Sequence, residues 1–230
     1  MATTEASQLA ALLEADMHEP SVAEFVPGPG IARLGCTFDI ERLRSDLEAV
    51  LEGSGYGGAH RDKGFGAIAV TERQPSTQPA TAGAAEVTAA NDLSGRYWLR
   101  RADADGSYVE EAHEEIVDEA NFTALNPLFA GTYFETVLEE MRSVVRLGRV
   151  RVLSKEVYNC NSWHRDPEPR VHLPIVTNPG SLFIVNHHCT HLPADGSVYF
   201  TDTRGYHTAL NGGPGPRVHL VAAVVGSACS

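Results

Sequence analysis

From Arg149 onward the chain is a succession of short runs of strand-forming residues: Arg149–Val157, Arg170–Val176, Ser181–Asn186, Ser197–Phe200 and Arg217–Val225. They are separated by Pro, Gly, Asn and Asp. Many short strands at this spacing, with turns between them, predict an antiparallel sandwich or barrel. The residues ahead of them read differently. Asp39 is placed to cap a helix with a buried stripe of Leu43, Leu47, Val50 and Leu51. Phe134, Val137, Leu138, Met141, Val144 and Val145 mark one face of a second helix, expected to pack on a sheet. Ala32–Phe38, Phe65–Thr71 and Tyr97–Arg101 read as strands, the last ending at the turn Asp103-Ala104-Asp105-Gly106, after which an acidic stretch follows. The fold class is therefore mainly β with flanking helices, helices first and a barrel afterwards.

At 230 residues the chain suits one sizeable core, and residues 1–230 are expected to form a single domain. Within it, 1–31 reads as a helix carrying Leu9, Leu12 and Leu13 and then an irregular arm broken by Pro20, Pro27, Gly28, Pro29 and Gly30. Residues 32–148 read as a mixed α/β support and 149–230 as the core. The Ala-, Thr-, Pro- and Ser-rich stretch Pro75–Ala90 has no period that could anchor it, so residues 73–92 are expected to be a mobile surface loop.

Composition narrows the partners. A net charge of −12 with no basic cluster repels phosphate backbones, so nucleic acid is not expected. No apolar run approaches the ~20 residues needed to span a bilayer, and the start Met1-Ala2-Thr3-Thr4-Glu5 does not read as a secretory signal. A soluble, cytoplasmic protein without a membrane partner is the expectation. The scattered cysteines Cys36, Cys160, Cys189 and Cys229 contain no C-x-x-C pair and are expected to be free thiols.

Within the β-rich half stand His164-Arg165-Asp166, then His207, then Arg217. Side chains at i and i+2 of an extended segment point the same way, so His164 and Asp166 can grip one ion, and His207 from a neighbouring strand completes the set. Two histidines and one carboxylate on one side make the facial triad of non-haem iron oxygenases, with positions left open for a bidentate 2-oxo acid and for O2. The far carboxylate of such a cosubstrate needs a cation, and Arg217 offers the matching fork. The turn-rich Asn211-Gly212-Gly213-Pro214-Gly215-Pro216 predicts that His207 and Arg217 lie on adjacent antiparallel strands. A second triplet, His60-Arg61-Asp62, follows Gly53, Gly55, Gly57 and Gly58 in what reads as a flexible loop, whereas His164 lies in the β-rich half where neighbouring strands can bring a third ligand alongside. His187, His188, Cys189 and His191 crowd into one turn without the separated partner pair that zinc sites use, and are expected to form a polar loop.

The stretch Val150–Ala222, with Trp163-His164-Arg165-Asp166, Arg170-Val171-His172-Leu173-Pro174-Ile175, Asp202 to Asn211 and Arg217-Val218-His219-Leu220-Val221, resembles the aspartyl/asparaginyl β-hydroxylase family. That family includes bacterial proline cis-4-hydroxylases. Phe38–Leu43 and Phe129–Leu147 fit it more loosely. The resemblance implies a double-stranded β-helix of the jelly-roll or cupin type, Fe(II), 2-oxoglutarate as cosubstrate with O2, and hydroxylation of an amino-acid side chain. It also implies that Arg170 and His172 help bind 2-oxoglutarate beside Arg217. The chain departs from the family in one place: the Pro-Gly pair often found before the metal triplet is replaced by Asn159-Cys160-Asn161-Ser162-Trp163.

Asp166 supplies the triad carboxylate that some animal members lack, and their membrane-anchor and repeat regions have no counterpart here. The substrate implied is a small amino acid or an amino-acid-derived metabolite, free or tethered to a carrier protein. Arg165 and the early loop around Arg61 and Asp62 are the sequence candidates for gripping its charged groups. Desaturation, cyclisation or epimerisation would use the same ligands as hydroxylation. A non-catalytic small-molecule-binding barrel, or a metal hydrolase opening the same ligands to water, are the rival classes. Arg217 argues against the hydrolase, since hydrolysis gives no reason to place a carboxylate-binding arginine there.

Overall fold

Arg170 to Ile175 and Arg217 to Ala222 alternate from one residue to the next between the two sides of a sheet. Period-2 segments of this kind form strands with unlike faces. A computed structural model, which describes residues 28, 30–53, 61–62, 65–73, 97–113 and 118–227, shows both as neighbouring antiparallel strands. In chain order the strands are β1 (Ile31–Thr37), β2 (Arg61–Asp62), β3 (Phe65–Ala69), β4 (Thr71–Glu72), β5 (Tyr97–Ala102), β6 (Tyr108–His113), β7 (Ala124–Leu125), β8 (Val145–Lys155), β9 (Asn159–Cys160), β10 (His164–Arg165), β11 (Arg170–Val176), β12 (Ser181–Val185), β13 (His188–His191), β14 (Ser197–Thr201), β15 (His207–Asn211) and β16 (Arg217–Ser227). The helices are α1 (Ile40–Gly53) and α2 (Tyr133–Val144).

One sheet runs β1-β14-β11-β16-β8-β3-β2 and the other β13-β12-β15-β10-β5-β6, with β9 paired to β15. Setting β9 aside, β8 and β10 to β16 form two interleaved four-stranded sheets, β14-β11-β16-β8 and β13-β12-β15-β10. All their pairings are antiparallel. Counted from β8, these orders are sixth-third-eighth-first and fifth-fourth-seventh-second, the interleaving of a jelly roll. The double-stranded β-helix implied by the resemblance is the fold observed.

The apolar core lies on the outer face of the first sheet. Val150, Val152, Val171, Leu173, Ile175, Leu220 and Ala222 pack there with Leu43, Leu47 and Val50 of α1 and Phe134, Val137, Leu138 and Met141 of α2. Asp39 caps α1 as expected, accepting from the Arg42 backbone N–H at 3.0 Å. The helical stripes are narrower than their spacing suggests, since Leu51 and Val144 are exposed and Val145 opens β8. Between the sheets a smaller cluster, Ile31, Phe183, Val185, Leu192, Tyr199 and Ala209, shares the space with buried histidines and cations.

The segment after Gly106, which the sequence left unassigned, is strand β6, hairpinned to β5 and carried by surface pairs such as Arg101–Glu111 and Arg100 stacked 3.8 Å from the Tyr108 ring. An edge strand exposed from Tyr108 to Ala112 needs no apolar period, which is why its pattern was silent. His207 and Arg217, expected on adjacent strands, lie in different sheets: β15 pairs with β12, β10 and β9, and β16 with β11 and β8. The glycine-rich connection crosses from sheet to sheet. It is pressed against Asn178, whose side-chain NH2 donates to Asn211 Oδ1 and to the Gly215 carbonyl, each at 2.9 Å. A Cβ on Gly213 would fall 1.7 Å from Asn178 Oδ1, so only glycine allows this approach.

The N-terminal Leu9, Leu12 and Leu13, the stretch Pro75–Ala90 expected to be a mobile loop, and His60 lie outside the described residues. Among the described residues no helix is long and apolar enough to cross a membrane. Cys36, Cys160 and Cys189 are free thiols.

Candidate metal centre

β10 and β15 are adjacent, with His164 directly opposite His207, so register alone brings the two imidazoles together at 4.2 Å between ring centroids. Asp166 stands just beyond β10, its backbone N–H tied to the Thr203 carbonyl at 2.8 Å. Asp166 Oδ1 is 3.9 Å from His164 Nε2, and its Oδ2 is 3.8 Å from His207 Nε2. One donor atom from each of the three residues lies within 4.8 Å of the others.

The rings are also oriented for a metal. His164 Nδ1 donates to the Ser162 carbonyl at 2.8 Å and His207 Nδ1 to the Gly205 carbonyl at 3.1 Å. A carbonyl only accepts, so each Nδ1 carries the proton and each Nε2 lone pair faces the common centre. Burial and then the charge of His164 hold the His207 imidazole down to about 4, leaving it neutral at neutral pH. Burial pushes Asp166 up, but Arg170, His207 and His164 outweigh it and keep the carboxyl below its ordinary value.

Behind Asp166 stands a buried charge network. Arg170 Nε lies 3.3 Å from Asp166 Oδ2, and its other nitrogens reach Glu119 Oε1 at 3.7 Å and Glu168 Oε2 at 3.9 Å. Glu119 Oε1 also takes Arg149 Nη2 at 2.7 Å. Arg170, for which the resemblance implied cosubstrate binding, thus pairs with the triad carboxylate instead. Glu119 was invisible in the sequence because it reaches the site from a short 3-10 turn, Glu119–Asn121, far from the triplet.

Across the barrel, on the inner face of the first sheet, lie Arg217, His219 and His172, all buried. Arg217 Nη2 and both ring nitrogens of His172 and of His219 are buried with no hydrogen-bond partner among the described residues. Each unmatched group of this kind costs about 1–3 kcal/mol, so five in one place mark where a polar guest belongs. Burial lowers Arg217 to about 10 and drives both histidines well below their ordinary value, helped by the Arg217 charge. Lys155, directly opposite Arg217, adds a second cation, with Nζ donating to Asn159 Oδ1 and Asn161 Oδ1. This end of the barrel reaches the metal centre through rings: His219 is 5.7 Å from His172, His172 is 4.9 Å from Phe183, and Phe183 is stacked 5.5 Å from His207.

Other candidates are placed elsewhere. Arg165 is spent on the outside, its guanidinium bidentate to Glu110 at 2.8 and 2.6 Å and lying 3.8 Å from the Trp98 ring, so it does not face the barrel as a free carboxylate receptor. His188 and His191 belong to strand β13 rather than a loop, and His191 Nδ1 donates to the Ser181 carbonyl at 3.0 Å. Among the described residues the triad is the one group placed to hold a metal ion. Of the His60 triplet, only the backbone of Arg61 and Asp62 is described.

No family model and no curated protein matches the chain. Among solved structures it is similar to an oxidoreductase of the 2OG-Fe(II) oxygenase family from Burkholderia pseudomallei, at 14% identity and a TM-score of 0.44, over 95% of this chain and 88% of that one. AviO1 from Streptomyces viridochromogenes Tue57 is similar at 14% identity and 0.41, over 86% and 91%. IDO from Bacillus thuringiensis is similar at 9% identity and 0.41, over 86% and 90%. The chemistry of the site is decided by the side chains above.

Proposed function

We propose that the protein is an Fe(II)- and 2-oxoglutarate-dependent oxygenase of the aspartyl/asparaginyl β-hydroxylase type, hydroxylating a small amino acid or amino-acid-derived metabolite. The observation that carries this reading is the pairing of two half-sites across one barrel. One is a triad whose three donor atoms converge; the other is a buried arginine with two histidines, where Arg217 Nη2 and the four ring nitrogens have no partner among the described residues. A dicarboxylate with a 2-oxo group fits both ends.

The donor set fits a divalent ion: two imidazole nitrogens and one carboxylate on one side leave the other positions open. Bound there, Fe(II) with 2-oxoglutarate and O2 would supply the oxidising power for a C–H bond, which no side chain here possesses. His164, Asp166 and His207 would hold the ion, and Arg170 keeps Asp166 in place. Arg217 would grip the far carboxylate of 2-oxoglutarate with its fork, while Lys155 adds positive potential. His172 and His219 would lend N–H groups to the cosubstrate's oxygens, and Phe183 walls the slot against water beside His207.

Anaerobic addition of Fe(II) and 2-oxoglutarate is expected to give a weak visible charge-transfer band. A panel of amino acids, free and carrier-tethered, is then expected to yield one that stimulates succinate formation in air, with a product heavier by one oxygen. A product of unchanged mass or lighter by two hydrogens would redirect the outcome to epimerisation, or to desaturation or cyclisation. Absence of the band would remove 2-oxoglutarate from the site.

A further inference from the structure

The cations on the inner face of the first sheet are not equivalent. Arg149 and Arg170 are committed to Glu119 and Asp166, and Lys155 to two asparagine side chains. Arg217 is the uncommitted fork that the proposed cosubstrate would occupy, and one dicarboxylate chelating at its other end needs only one. A second uncommitted arginine remains.

Arg151 on β8 lies directly opposite Val221, and Val221 directly opposite His172. Directly opposed residues share a face of the sheet, and His172 reaches Phe183 of the other sheet, so the Arg151 side chain enters the barrel. It makes no hydrogen bond or ion pair among the described residues. Its row adjoins that of Arg170, two residues along, or roughly 7 Å, and its charge is felt by Asp166 and Glu119. The residue is half-buried. Burial brings it down to about 9, which leaves it charged at neutral pH. An arginine desolvated without a partner costs stability, and such a cost is characteristic of a binding site.

We propose that Arg151 anchors a carboxylate of the substrate, so that the molecule oxidised here is an organic acid held by that carboxylate inside the barrel, near Asp166. The inference rests on the oxygenase reading and narrows it. The acid group must be free, because an ester or thioester at that position offers no charge to the fork. Carrier tethering, if used, must therefore run through another part of the molecule.

The test uses the Fe(II)·2-oxoglutarate form under anaerobic conditions, titrated with the twenty free amino acids, simple mono- and dicarboxylic acids, and the carboxamide of each, with binding read by calorimetry and by the visible band. At least one acid is expected to bind wild type ten or more times tighter than its carboxamide. Arg151→Gln is expected to erase that preference, Arg151→Lys to restore part of it, and 2-oxoglutarate affinity to stay within about twofold in both. The metal-free Arg151→Gln protein is expected to melt no lower than wild type, whereas loss of a structural ion pair would lower its Tm. If acids bind Arg151→Gln as well as wild type, or no acid outbinds its carboxamide, the inference falls and the oxygenase reading stands. A matching loss of 2-oxoglutarate affinity would reassign Arg151 to the cosubstrate and also overturns it. If wild type forms no band, the oxygenase reading fails first and the inference with it.

Discussion

The two faces of the first sheet are built from the same strands one residue out of phase, and they do opposite work. Outward go Val150, Val152, Val171, Leu173, Ile175, Leu220 and Ala222, closed over by α1 and α2 without a polar atom among these side chains. Inward go Arg151, Lys155, Arg170, His172, Arg217 and His219, of which His172, Arg217 and His219 hold buried polar atoms without partners. Burial of the outer face stabilises the fold at about 25 cal/mol per Å2 of apolar surface. The inner face spends part of that stability on desolvated cations and histidines. A single alternating strand thus carries a fold-determining residue and a ligand-seeking residue side by side, and neither substitutes for the other.

The sharpest way to break the comparison is at the metal. His164→Ala, Asp166→Ala and His207→Ala are each expected to lower turnover by more than about a thousandfold while circular dichroism and the cooperative melt persist, because a facial triad short of one ligand no longer holds its ion. His60→Ala, by contrast, is expected to leave turnover within about twofold of wild type. If His60→Ala inactivates and His164→Ala does not, the site is in the wrong half of the chain.

On the outer face the pattern inverts. Leu173→Ala or Leu220→Ala, each fully buried in the core, is expected to cost about 2–5 kcal/mol in urea unfolding, while the folded fraction keeps its metal affinity. Equal loss of metal affinity in these variants would show that the faces are not separable.

Smaller effects sharpen the inner face. Arg217→Lys keeps the charge but loses the fork, and is expected to weaken 2-oxoglutarate about tenfold or more with Fe(II) binding unchanged. Anaerobic titration decides it, and an unchanged affinity would take Arg217 out of the site. Glu119→Gln, which loosens the grip on Arg170 and through it on Asp166, is expected to weaken metal binding by about 10-fold, within the range for partners of metal ligands.

The mildest test is pH. His172 and His219 have folded-state values well below the ordinary histidine, for burial first and the Arg217 charge second. The unfolded chain therefore binds more protons than the native one as pH falls below about 6.5. Their contribution to stability is complete above that pH and lost progressively beneath it. The Tm of the metal-free protein is expected to fall between pH 7 and 5, and less steeply in His219→Gln; parallel curves would show that His219 is not held neutral by the fold.

Much of this was legible in the chain because alternation is a local property. The R-x-H and R-x-H-x-V runs over 170–172 and 217–221 declare two unlike faces, and H-x-D at 164–166 puts two candidate ligands on one side, whatever surrounds them. The turn at 211–216 was equally visible, but not its direction. A glycine-proline connection can close a hairpin or change sheets, and the local pattern is the same for both; here it changes sheets, with Gly213 packed on Asn178. Arg165 shows the same gap from the other side. Its place beside the triplet suggested a receptor for substrate, but Glu110, fifty-five residues earlier, had already taken the fork.

The sequence by itself determined the candidate metal ligands, the class of the sheet and the cation at the far end, since side-chain chemistry and period-2 geometry act within a few residues. Only the tertiary structure decided which arginines are free. Charges of either sign are scattered along the chain, and whether Arg149, Arg151, Arg165, Arg170 or Arg217 meets a carboxylate depends on contacts between strands and turns distant in sequence. Coulomb attraction acts through space, over a few ångströms in a desolvated interior, and takes no account of sequence separation.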